Sequence, residues 1–136
     1  MKAIITGGAG FIGSNMADFL LEKGIKVRVV DNFISGKMKF IEHNLKNPNF
    51  GYEKVDMKDA DKLKASFSGD FDIVFHFAAN ADVKGGTKYP TADLHENVIT
   101  ISNVLEAMRA NNIKKIVFSS TGSIYGEPEI FPTPEN

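Results

Sequence analysis

One short stretch limits the folds open to this chain more than any other: Ala3-Ile4-Ile5-Thr6-Gly7-Gly8-Ala9-Gly10-Phe11-Ile12-Gly13. An apolar run enters closely spaced glycines and leaves them as an amphipathic segment. That reads as a strand, a tight turn and the first turn of a helix. Glycine accepts positive φ without steric cost and lets another group approach the main chain closely. The helix that follows directs unbonded N–H groups and the positive end of its dipole at the same spot, which suits an anion. Gly8-Ala9-Gly10-Phe11-Ile12-Gly13 satisfies G-x-G-x-x-G, and Gly7, Gly10 and Gly13 also give G-x-x-G-x-x-G. Turns that hold no phosphate match such patterns too, so the rest of the chain has to decide.

The run 2–6 reads as a first strand, apolar on both faces as a central parallel strand should be. A helix is predicted over 11–23, with Phe11, Ile12, Met16, Phe19 and Leu20 on one broad face and Gly24 ending it. A second strand, Ile25 to Val30, stops at Asp31, which lies 18 residues after Gly13. A carboxylate at about that distance hydrogen-bonds the ribose diol of a dinucleotide and repels a 2′-phosphate, so NAD is expected rather than NADP. A loop over Asn32 to Gly36 leads to a short basic helix from Lys37 to Leu45, whose lysines read as a solvated face. Further strands are expected at 50–55, 72–77 and 114–118, and helices at 59–67 and 91–110. Ala78-Ala79-Asn80-Ala81 leaves the fourth strand through small residues, which serve either a flat ligand or close helix packing. In the long helix, Leu94, Val98, Ile101, Leu105 and Met108 recur at spacings of 4, 3, 4 and 3 and read as the core stripe. The segment from 85 to 90 reads as flexible surface, and the proline-containing tail from Glu127 as turns.

Strands alternating with helices predict an α/β fold, a doubly wound parallel sheet of the Rossmann type in strand order 3-2-1-4-5. The ligand belongs at the switch between strands 1 and 4. The glycine turn, Asp31, Ala78 and the hydroxyl run Ser119 to Thr121 all fall at carboxyl ends and so converge on one crevice. The chain has 136 residues, 43% hydrophobic and 24% charged, enough for one such domain over 1–136 and short for a substrate domain as well. A net charge of −1 supplies no field for nucleic acid or an anionic membrane. Without cysteine there is no disulfide, thiolate nucleophile or thiolate metal site, and no metal is expected. No apolar run approaches a membrane span or a signal peptide, so the expected compartment is the cytoplasm.

These residues resemble the extended short-chain dehydrogenase/reductase family, which holds the nucleotide-sugar epimerases and dehydratases. The matching stretches are ITGGAGFIGSN at 5–15, DNFISGK at 31–37, Asp56-Met57, HFAANADV at 76–83, Asn97-Val98 and VFSSTGSIYG at 117–126. The resemblance implies that Gly7, Gly10, Phe11 and Ile12 hold the pyrophosphate, and that Asp31 and Asn32 hold the adenosine ribose with Ser35 and Gly36 nearby. Asp56 and Met57 would flank the adenine, Asp56 reaching its exocyclic amine. Phe77, Ala78 and Ala79 would line the nicotinamide side, helped by Asn97 and Ser119. Thr121 falls where the family places its catalytic Ser or Thr, against the sugar hydroxyl being oxidised. Val83 and Lys84 would lie near the UDP-sugar.

Within the family, 4,6-dehydratases carry Thr-Asp-Glu after the fifth strand, because eliminating water needs an acid and a base. Here the run is Thr121-Gly122-Ser123, without a carboxylate. UDP-glucuronate decarboxylases are more similar but usually have Glu where Ser123 stands. The resemblance is therefore greatest to UDP-glucose 4-epimerases, enzymes of galactose metabolism, with a homodimeric parent expected. In that mechanism a Tyr phenolate takes the 4-hydroxyl proton as hydride passes to bound NAD, and hydride then returns to the other face of the sugar. The Tyr belongs to Y-x-x-x-K, and no tyrosine here fits: Asp56 follows Tyr52 by four, Asp93 follows Tyr89, and Glu129 follows Tyr125. The expectation is an N-terminal part, cut before the last strands and the substrate domain. Such a part binds NAD without catalysis of its own.

Overall fold

The computed structural model describes residues 1–80, 89 and 91–134. Five parallel strands, β1 (Lys2–Thr6), β2 (Lys26–Asp31), β3 (Phe50–Lys54), β4 (Ile73–His76) and β5 (Ile116–Phe118), form one sheet in the order β3-β2-β1-β4-β5. The expected doubly wound order is the observed one. The register brings the carboxyl ends level: Thr6 lies opposite Val30 on one side and His76 on the other, and His76 lies opposite Phe118. Every loop that leaves these ends therefore opens onto the same rim.

Helix α1 (Phe11–Glu22) covers one face of the sheet over a core that includes Ala3, Ile5, Val27 and Val29. Its buried line is Gly13, Ser14, Ala17, Leu20 and Leu21, whereas Phe11 is 78% exposed and Ile12 and Phe19 also face outward. Of the broad face read from the sequence, Leu20 is buried and Met16 packs partly against the core, while Phe11, Ile12 and Phe19 stay exposed. The cause is close approach. A Cβ on Gly13 would stand 2.3 Å from the Gly7 carbonyl oxygen, so small residues rather than large apolar ones set the contact. Gly7 itself has φ +70 and approaches the Ala78 backbone so nearly that a Cβ would lie 2.6 Å from its nitrogen.

On the other face, α2 (Ala60–Ser66) and α3 (residues 91–110) pack over Ile4, Val30, Val74 and Phe67. Asp59 caps α2 by accepting from the Lys62 N–H at 3.1 Å. Helix α3 begins α-helical at Thr91–Asp93, widens into a π-helical segment over Leu94–Ile99, and continues α-helical over Thr100–Ala110. Its buried residues are Thr100, Val104, Ala107 and Met108. Of the stripe read from the sequence, Met108 is buried and Ile101 packs partly against the core, whereas Val98 is 56% and Leu105 49% exposed and Leu94 is exposed as well. Small and β-branched side chains share the tight contact with Met108, and Leu94, Val98 and Leu105 are turned outward.

The basic helix expected over 37–45 is two short 3₁₀ turns, Met38–Phe40 and Glu42–Asn44. Ile41 between them is fully buried in the α1-side core at φ −126, which a helix cannot accommodate. Asp18 on α1 fixes the second turn by accepting from His43 Nε2 at 2.9 Å and Asn44 Nδ2 at 2.5 Å. The segment expected to be flexible, 85–90, lies almost wholly outside the described residues.

Candidate functional site

The carboxyl ends of β1, β2 and β4 enclose a cleft of about 520 Å³. Gly7 and Gly10 line it at the glycine turn, and Asp31, Asn32, Ser35 and Gly36 at the end of β2. Asp56 and Met57 follow β3, and Phe77, Ala78 and Ala79 follow β4. Eleven residues read from the sequence as cofactor contacts thus share one cavity. Four others do not line it. The side chains of Phe11 and Ile12 point outward, and these residues offer the cleft only the amides of the first turn of α1. Asn97 accepts from the Asn80 N–H at 2.7 Å and so holds the chain that leaves Ala79. Ser119 donates to the His76 carbonyl at 3.4 Å. Thr121 is exposed beyond β5, outside the cleft lining, and Val83 and Lys84 lie outside the described residues.

Asp31 organises the rim. Only 5% exposed, it accepts from the Ala9 N–H at 2.9 Å through Oδ2 and from the Phe33 N–H at 2.8 Å through Oδ1. The Lys37 N–H donates to the Ala9 carbonyl at 2.9 Å, a second tie between the glycine turn and the loop after β2. A carboxylate oxygen accepts more than one hydrogen bond, so both Asp31 oxygens keep capacity for a diol. Helix α1 starts at Gly10 with no side-chain cap and no acidic residue in its first turn, which leaves its amides and dipole to an anion.

Beneath the rim, Thr6 Oγ1 and His76 Nδ1 share a 2.6 Å hydrogen bond, and His76 stacks on Phe118. Burial lowers the His76 pKa to about 4, so the ring is neutral at pH 7. This pair joins the ends of β1 and β4 directly under the approach of Gly7 to Ala78.

The sequence reading missed Ile34, Asn80, Ala92, Glu96 and Thr100, which also line the cleft. Glu96 and Thr100 belong to the widened part of α3 and the turn after it. There the Thr100 hydroxyl donates to the Glu96 carbonyl at 2.7 Å. Glu96 pairs with Lys58 Nζ, which also stands 3.7 Å from Asp56 Oδ2. The hydrogen bond to Glu96 and the charge of Asp56 raise the Lys58 pKa. No periodic signal marks these residues, and their pairing joins positions 38 apart in sequence. Among the described residues no group of three or more His, Asp or Glu side chains could hold a metal, and no helix is long and apolar enough to cross a membrane.

A parallel doubly wound sheet, with a glycine turn, an uncapped helix start and a buried carboxylate around one cleft, defines a dinucleotide-binding domain. The sequence model of the NAD dependent epimerase/dehydratase family matches residues 3–136, and the chain belongs to that family. It is 38% identical over 136 residues to a UDP-glucose 4-epimerase of Corynebacterium glutamicum, covering 100% of this chain and 40% of the relative. Among solved structures, the Thermotoga maritima UDP-glucose 4-epimerase with UDP-glucose aligns at 39% identity and a TM-score of 0.85, over 99% of this chain and 43% of that one. The Thermus thermophilus UDP-glucose 4-epimerase in complex with NAD aligns at 35% identity and a TM-score of 0.83, over 98% and 44%. The chain thus spans less than half the length of these relatives. The cofactor is NAD, and the residues present fit it: free helix amides for the pyrophosphate, Asp31 for the ribose, and small residues at 78 and 79 beside the switch point.

Proposed function

We propose that residues 1–136 are the incomplete NAD-binding domain of a nucleotide-sugar 4-epimerase that interconverts UDP-glucose and UDP-galactose, and that the sugar-binding domain lies outside this chain. The reading is carried by the convergence of Gly7, Asp31, Asp56 and Ala78 on one cleft in a chain similar over its whole length to such epimerases. NAD supplies the hydride acceptor and donor. The chain's own residues bind and orient it, and Thr121 contacts the sugar hydroxyl once the rest of the site is present. Val83 and Lys84 belong to the UDP-sugar side. The setting is cytoplasmic galactose metabolism.

Taken alone, the 136 residues bind NAD and do not epimerise, because no Tyr-x-x-x-Lys pair is present to take the 4-hydroxyl proton. Purified chain is expected to bind NAD more tightly than NADP by calorimetry and to give no turnover of UDP-galactose. Preference for NADP would remove Asp31 from its assigned role, and turnover near that of a full-length relative would remove the non-catalytic reading. The parent is a homodimer on this reading. Leu94, Val98 and Leu105 form an apolar stripe on the outside of α3 that suits a second copy of the same helix.

A further inference from the structure

Lys58 controls both oxygens of Asp56. Its backbone N–H donates to Asp56 Oδ1 at 2.9 Å, and its ammonium lies 3.7 Å from Oδ2. The same ammonium is bonded to Glu96 from the facing wall. Asp56 and Glu96 both line the cleft, so a single cation sits between two carboxylates at its adenosine end. Asn103 fixes the loop in this position by donating from α3 to the Met57 carbonyl at 2.9 Å. The Lys58 and Glu96 side chains are 35% and 34% exposed, so the pair is partly withdrawn from solvent.

We propose that Glu96 and Lys58 determine base selectivity: Lys58 aims Asp56 into the cleft, and Glu96 keeps the Lys58 ammonium away from the base. This rests on the reading of Asp56 as the partner of the adenine amine. Adenine presents a donor at its 6-position, whereas hypoxanthine presents an acceptor there. A carboxylate favours the first and an ammonium the second. With the ammonium committed to Glu96, the group left to the base is the Asp56 carboxylate. Removing the Glu96 charge leaves the ammonium beside Asp56 at the cleft, where it can meet a 6-oxo group. Glu96 is thus a specificity determinant and Lys58 a positioning residue.

The test is calorimetric binding of NAD and of nicotinamide hypoxanthine dinucleotide to the 136-residue chain and its variants, with thermal melts to confirm folding. The unaltered chain should prefer NAD by about tenfold or more, the scale of one charged hydrogen bond. Glu96→Gln should cut that preference about threefold or more by tightening the hypoxanthine form. Lys58→Met should weaken NAD with no gain for hypoxanthine, Lys58→Arg should restore the preference, and adding Lys58→Met to Glu96→Gln should erase the hypoxanthine gain. An unchanged ratio in Glu96→Gln, with both dinucleotides bound, overturns this proposal alone. A chain that binds neither dinucleotide overturns the reading of the cleft and this inference with it.

Discussion

Asp31 carries two structural bonds before any ligand arrives, one from the Ala9 amide and one from the Phe33 amide. Asp31→Ala leaves both donors without their partner and should cost about 2 kcal/mol of stability in urea titrations, besides weakening NAD about tenfold or more in calorimetry. Asp31→Asn, which keeps one acceptor oxygen, should lose less stability while still losing affinity. His76 gives the second prediction at this scale. Its folded pKa of about 4 lies below its ordinary 6.5, so the unfolded chain binds this proton more readily. Stability from the neutral ring is complete above pH 6.5 and is lost as pH falls towards 4, by up to about 3 kcal/mol. Urea midpoints at pH 7 and 4.5 should therefore separate more in the unaltered chain than in His76→Asn. Asp31 could be found from the sequence because a strand end and a spacing from the glycines both point to it. The Lys58–Glu96 pair could not, because contact between a loop and a distant helix leaves no local pattern.

The two long helices show how far periodicity reaches. Both are present where the apolar spacing puts them, with ends within a residue or so. The faces were legible only in part: Leu20 and Met108 are buried as the stripes suggest, but close packing on the sheet also buries Gly13, Ser14 and Ala17, or Thr100, Val104 and Ala107, and leaves Phe11, Phe19, Val98 and Leu105 outside. An apolar stripe says that a helix is amphipathic without saying which of two adjacent stripes meets the sheet. Val104→Ala should cost about 2 kcal/mol and Leu105→Ala under about 0.5 kcal/mol, the reverse of what side-chain size along the stripe suggests. Chemical denaturation of the two variants checks this. The 37–45 segment failed differently, because burial of the single side chain Ile41 outweighed local helix preference.

Across the whole molecule, strand order and the meeting of the loops on one rim were legible, because alternating strands and helices admit few right-handed topologies. The surface was less so. Val117 and Phe118 on the edge strand β5 are exposed, as are Leu94, Val98 and Leu105 on α3. Apolar surface of this kind favours association. Sedimentation of the 136-residue chain should show a mass that rises with concentration, and Val98→Lys with Leu105→Lys should reduce it without loss of NAD binding. The cleft has a different dependence on the chain. Among the described residues its lining runs from Gly7 to Thr100, with the later Asn103 supporting it by donating to the Met57 carbonyl. During synthesis, which proceeds from the amino end, the described residues that line this cleft are therefore all made before strand β5. A dinucleotide that binds only the folded cleft then stabilises this part of the domain by mass action.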